Sequence, residues 1–228
     1  MVTIDSKTHI YKDEAGIRYW SVTQILKKYK VPFDPDGKQA IKSAAKLGIT
    51  VEEIKKRWKE TGDVANAHGT YVHKSLQDYV EQGLINDEHK KIIASFIKLG
   101  INDVQSEVIV SHQGLKIAGT VDLIEKYKDK INIYDFKTNK QIRKSSDYGN
   151  RYLEPISHLE DCEYTNYALQ LSLYAWMLEQ KGEKIGKLAI LWINPKTHEM
   201  EEIPVVYMKE TVMNLVKDFN IKRASDVN

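Results

Sequence analysis

The chain has 228 residues, room for one large domain or two small ones, and its 42% hydrophobic and 29% charged residues exclude a collagen, a coiled-coil rod or bulk disorder. Its 34 Lys and Arg against 32 Asp and Glu leave a net charge of +2, so it is no general polycation, and any nucleic-acid function must come from local placement. Cys162 alone excludes intramolecular disulfides, zinc sites of several thiolates and cysteine-held iron–sulfur clusters.

Taken along the chain, residues 9–20 read as a short hairpin turning at Ala15-Gly16. Ser21 then caps a helix through Ile25, Leu26 and Tyr29. Pro32 and Gly37 break it, and two short helices follow at 39–47 and 51–60, the second capped by Thr50. Their lysines form a basic exterior that a solvated face explains. A longer helix is expected over 66–82, closed by Gly83, and another over 87–99, closed by Gly100.

The period then changes to two. Residues 106–110, 115–124 and 131–137 are rich in Val, Ile and Tyr and are separated by turn residues, as in a three-stranded antiparallel meander. The polar stretch 139–162 is too long for a plain connector, so it is either functional or mobile. An apolar helix over 163–180, a strand pair at 187–193 and 201–207, and a last helix over 209–223 complete the chain. The order predicts a layered α/β (α+β) architecture in one domain over 1–228, mostly helical over 1–100, with the sheet core over 101–228.

The informative residues break the hydrophobic pattern. Around Asp135 and Lys137, both faces of the strand are apolar, so these two charges sit at the end of a buried strand and require compensation. Asp122 is likewise one carboxylate inside the apolar run 118–124. Folding the meander can bring Asp122 beside Asp135, and two carboxylates that close repel unless a cation sits between them. Oxygen ligands suit a hard divalent ion, Mg²⁺ or Mn²⁺. Taken singly, each acid could equally end its strand in solvent.

Four segments in this order, Gly69-Thr70-Tyr71-Val72-His73, Gly119-Thr120-Val121-Asp122, Asp135-Phe136-Lys137-Thr138 and Gln170 to Tyr174, resemble the PD-(D/E)XK nucleases, in particular their RecB-like and phage exonuclease branch. The resemblance spans about 21–192. It implies a restriction-endonuclease-like core with a central mixed sheet flanked by helices. It also implies Asp122, Asp135 and the Phe136 carbonyl as metal ligands, and Lys137 as the group that positions the attacking water and stabilises the transition state. By the same resemblance His73 is a nitrogen ligand instead of a buried core histidine, and Gly69 permits close packing or close approach of DNA. Glu107 is a ligand, a group behind the ligands, or a simple exposed strand end. Gln170 orients Lys137 or the phosphate, and Tyr174 contacts DNA.

Thr138, Lys140, Arg143, Lys144 and Arg151, with Tyr148 and Tyr152 interleaved, make a candidate DNA-guiding segment, against the alternative of a solvated mobile loop. The resemblance implies a Mg²⁺- or Mn²⁺-dependent DNA exonuclease of recombination, replication or repair. The alternatives are an endonuclease of the same fold or a catalytically silent DNA-binding module. No iron–sulfur cluster is expected, nor a fused helicase, since the phosphate loop Gly-Lys-Thr or Gly-Lys-Ser is missing. A separate helicase, recombinase or single-strand-binding partner fits. No stretch of ~18 apolar residues suggests a membrane span, and the expected location is the bacterial or phage-infected host cytoplasm.

Overall fold

A computed structural model describes residues 1–5, 8–146 and 149–225. Eight strands among them form one mixed sheet: β1 (Val2–Asp5), β2 (Ile10–Asp13), β3 (Arg18–Ser21), β4 (Val104–His112), β5 (Ile117–Tyr127), β6 (Lys130–Lys137), β7 (Ile185–Ile193) and β8 (Met200–Val205). The order is β1-β2-β3-β5-β6-β7-β8, and β4 lies along the remaining edge of β5. Pairs β3–β5 and β6–β7 are parallel and the others antiparallel. The expected meander is therefore β4-β5-β6. Strand β1 was not anticipated; it adds an antiparallel edge to the hairpin through β2.

The helices are α1 (Val22–Lys28), α2 (Lys38–Leu47), α3 (Val51–Gln82), α4 (Lys90–Lys98), α5 (Glu163–Glu179) and α6 (Lys209–Ser225). Ser21 caps α1 reciprocally: its Oγ accepts from the Gln24 amide at 3.1 Å, and its own amide donates to Gln24 Oε1 at 3.1 Å. Thr50 and Glu53 repeat the device at α3. The two helices expected at 51–60 and 66–82 are one continuous helix of 32 residues. Gly62 costs only ~1 kcal/mol relative to alanine in a helix interior, and no proline interrupts the ladder, so the helix runs through it.

Packing on the sheet is two-sided. Val121, Ile133 and Ile190 pack with residues of α1, α5 and α6, whereas Leu123, Tyr134, Phe136 and Leu191 pack with Val72 and Leu76 of α3 and with Ile92, Ile93 and Phe96 of α4. Strand β6 is thus apolar on both faces, which is what isolates its two terminal charges. The described residues of 139–162 form no long helix or strand but are anchored in places. Tyr152 and Ile156 are buried, and the Leu153 amide donates to the Tyr29 carbonyl at 2.7 Å. Among the described residues, no helix is long and apolar enough to cross a membrane.

Candidate active site

Strand register places three carboxylates in a row across the sheet. The pairs Ser106↔Leu123 and Val108↔Val121 flank Glu107 and Asp122, and one step beyond Leu123↔Tyr134 lie Asp122 and Asp135. Like charges directly opposite one another are unfavourable, so this row exists only because other groups offset it. Glu107 also has a φ of 51°, the left-handed region that non-glycine residues seldom adopt and that clusters at functional sites.

The ladder opens at this row. Asp122 Oδ2 accepts the Phe136 amide at 2.8 Å, taking a donor that strand pairing would otherwise use. His73 reaches over from α3. Its Nε2 lies 3.1 Å from the Phe136 carbonyl oxygen, and its Nδ1 is 3.6 Å from Asp122 Oδ2. With the proton on Nε2, the ring donates to the carbonyl and turns its lone pair toward the carboxylate. One ligand atom from each of His73, Glu107 and Asp122 can be chosen so that all lie within 4.8 Å of one another.

Asp135, 1% exposed, is held from both sides. Gln170 Nε2 of α5 donates to Oδ1 at 3.3 Å, and the Lys137 ammonium pairs with Oδ2. Lys137 also donates to the Phe136 carbonyl at 3.1 Å and lies 4.8 Å from the centre of the Tyr167 ring. Burial pushes the Asp135 carboxyl up to about 6 against the opposing pull of Lys137, and the neighbouring Asp122 charge adds to the rise. Glu107 is raised by burial first and by Asp122 second, with His73 opposing. Burial alone would lower the Lys137 amine, but Asp135 and Asp122 outweigh it and hold the amine above its ordinary value. Lys137 is therefore a cation in this site, able to stabilise negative charge but unsuited to take a proton.

The donor set is carboxylate oxygens, one imidazole nitrogen and a backbone carbonyl. Such donors suit a hard divalent ion, and the excess of carboxylates over cations gives that ion a charge to neutralise.

A family model described as the PD-(D/E)XK nuclease superfamily matches residues 53–221, most of the chain and all four motifs. The chain belongs to the PD-(D/E)XK nuclease superfamily. Nucleases of this superfamily use divalent metals, hydrolyse phosphodiester bonds and act on DNA, and the mixed sheet flanked by helices is consistent with their core. Two solved structures are similar in outline. One, named "Putative exonuclease", from Eubacterium rectale, is 16% identical with a TM-score of 0.45, the match covering 97% of this chain and 85% of that one. The other, named SSO0001, is 18% identical with a TM-score of 0.38, covering 89% and 74%. No curated protein matches the chain.

Several residues singled out in the sequence sit in this PD-(D/E)XK site differently from expectation. Gln170, expected to orient Lys137 or the phosphate, donates to Asp135 Oδ1 at 3.3 Å and to the Tyr174 hydroxyl at 3.0 Å. Tyr174, expected to touch DNA, is buried, and its ring lies against Gly119. A Cβ at Gly119 would overlap Tyr174 Cε1, which explains the glycine of the second motif. Gly69 packs against Thr138, whose Oγ1 would be 3.3 Å from an added Cβ.

The basic segment is largely engaged within the protein. Arg143 pairs with Glu163, Lys144 lies 5.5 Å from the Tyr164 ring centre, and Arg151 donates to the His158 carbonyl at 3.0 Å. Lys140 is exposed, and Tyr148 lies outside the described residues. Tyr167, whose role was not legible in the sequence, covers Lys137 and donates to Asn139 Oδ1 at 2.9 Å. Its helical spacing of three from Gln170 was the available clue.

Proposed function

We propose that the chain is a Mg²⁺- or Mn²⁺-dependent deoxyribonuclease of the RecB-like and phage exonuclease branch. It acts on DNA ends or single strands in recombination, replication or repair. The observation that carries the reading is the register row Glu107–Asp122–Asp135, flanked by His73 on one side and Lys137 on the other. Asp122, Asp135, Glu107, His73 and the Phe136 carbonyl would hold the metal. A divalent ion supplies Lewis-acid polarisation of the phosphate and a lowered pKa for its water.

The protein's own groups do the rest. Lys137, fixed by Asp135 and the Phe136 carbonyl, places a positive charge where charge develops on the phosphate. Gln170 keeps Asp135 oriented, and Tyr174 is a buried support for Gln170. Thr138 and Lys140, following Lys137 directly, are placed to meet the DNA backbone, with Gly69 allowing α3 to approach them. Arg143, Lys144 and Arg151 shape the segment beside that path. We place this activity in one nuclease domain in a bacterial or phage-infected host cytoplasm, served by a separate helicase, recombinase or single-strand-binding protein. The mode is tested by offering covalently closed circular and linear DNA with Mg²⁺. An exonuclease degrades only the linear form, and opening of the circle would assign an endonuclease instead.

A further inference from the structure

Away from the carboxylate row, a cleft of about 280 Å³ between α1, α6 and the end of β3 is lined by Trp20, Lys28, Tyr29, Phe219, Lys222 and Arg223. Its composition is three aromatic rings and three cations. Trp20 and Phe219 meet edge to face at 5.5 Å, and the cations lie over the rings: Lys28 Nζ 5.0 Å from Trp20, Lys222 Nζ 5.1 Å from Tyr29, and Arg223 Cζ 5.8 Å from Phe219. Lys222 is paired with Asp218 at 2.7 Å. Arg223 is fixed by neutral partners, the Leu115 carbonyl and Asn220 Oδ1, both at 2.8 Å, and neither Lys28 nor Arg223 has a carboxylate in ion-pair range among the described residues. Among the described residues, two positive charges beside a half-buried indole thus have no carboxylate paired to them.

Trp20 also lines a second cleft of about 290 Å³ with Arg18, Tyr19 and Gln24, so the two clefts share this residue. The position relative to the carboxylate row follows from the sheet. Trp20 pairs with Ile117, and Asp122 lies five residues further along the same strand, ~17 Å at strand rise.

We propose that this aromatic–cation cleft is a second contact site for the substrate, taking unpaired nucleotides of single-stranded DNA. A base stacks on Trp20 in place of the Lys28 ammonium, which moves to a flanking phosphate beside Arg223. A π-face combined with cations suits every base, so the site reads strandedness and not sequence. The inference rests on the nuclease reading for the identity of its ligand. It differs from that reading in placing single-strand recognition on α1, β3 and α6, outside the four motifs.

The test is fluorescence anisotropy of a labelled oligothymidylate of about twenty nucleotides, in Ca²⁺, with wild type, Lys28→Glu, Trp20→Leu and the charge-matched control Lys184→Glu. Thermal melting checks that each variant folds. Expected are a roughly tenfold loss of affinity for Trp20→Leu and, for Lys28→Glu, a weaker affinity and a salt slope reduced by about one, with Lys184→Glu close to wild type. Lys28 is exposed, so its variant carries the test if Trp20→Leu does not fold. Wild-type affinity in Lys28→Glu, or equal losses in Lys28→Glu and Lys184→Glu, would overturn the proposal. If the wild type cleaves no DNA while the cleft variants still lose single-strand affinity, the nuclease reading fails and the cleft stands.

Discussion

Each charged group around Asp135 is held by another, so single substitutions there separate chemistry from folding. Lys137→Met removes the cation that faces the phosphate and should lower the rate of DNA cleavage by about 100-fold or more, measured in single turnover. Gly119→Ala acts through packing: the new methyl meets the Tyr174 ring, and urea unfolding should show a loss of about 1–3 kcal/mol. Asp122, Asp135 and Lys137 were legible in the sequence because charges inside apolar strands need a reason. The depth of Tyr174 and the partner of Gln170 were not. A spacing of four places two residues on one helix face, but it does not say whether that face lies under another strand, as Tyr174 lies over Gly119.

At the scale of elements, the ends of β5 and β6 are tied by a buried polar network. Glu125 accepts from Asn132 Nδ2 at 2.8 Å, the Tyr134 hydroxyl at 2.7 Å and the Asn102 amide at 3.1 Å. Burial alone would raise its carboxyl, but these bonds prevail and hold it below the ordinary value of 4.5. A carboxyl lowered in the folded state stabilises the fold above its unfolded pKa, and that stability is lost as pH falls through the folded value. Glu125→Gln should therefore cost about 1–3 kcal/mol at neutral pH and progressively less as acid protonates the wild-type group, read from urea melts at descending pH.

Helix α3 offers the complementary case. A Cβ at Gly62 meets nothing within 4 Å, and the helix is continuous there, so Gly62→Ala should stabilise by ~1 kcal/mol in the same measurement. The sequence suggested a break at this point because propensity is local, whereas the continuity of α3 also depends on Val72 and Leu76 docking on the sheet. The meander, the caps at Ser21 and Thr50 and the strand pair β7–β8 were legible, since turn residues and period two are local properties as well.

For the whole molecule, a net charge of +2 cannot by itself draw DNA to a row of carboxylates. Binding should instead require a cation in the row, with local lysines and arginines adding to it. Affinity for DNA should be weak in chelator and restored by Ca²⁺, checked by anisotropy at fixed ionic strength. The most direct measurement is digestion of end-labelled single-stranded DNA by the wild type and Asp122→Asn, each with Mg²⁺ or with chelator. Products are expected only from the wild type with Mg²⁺, with a rate at least ~100-fold lower for Asp122→Asn. Equal cleavage in chelator, or full activity of Asp122→Asn, would contradict it.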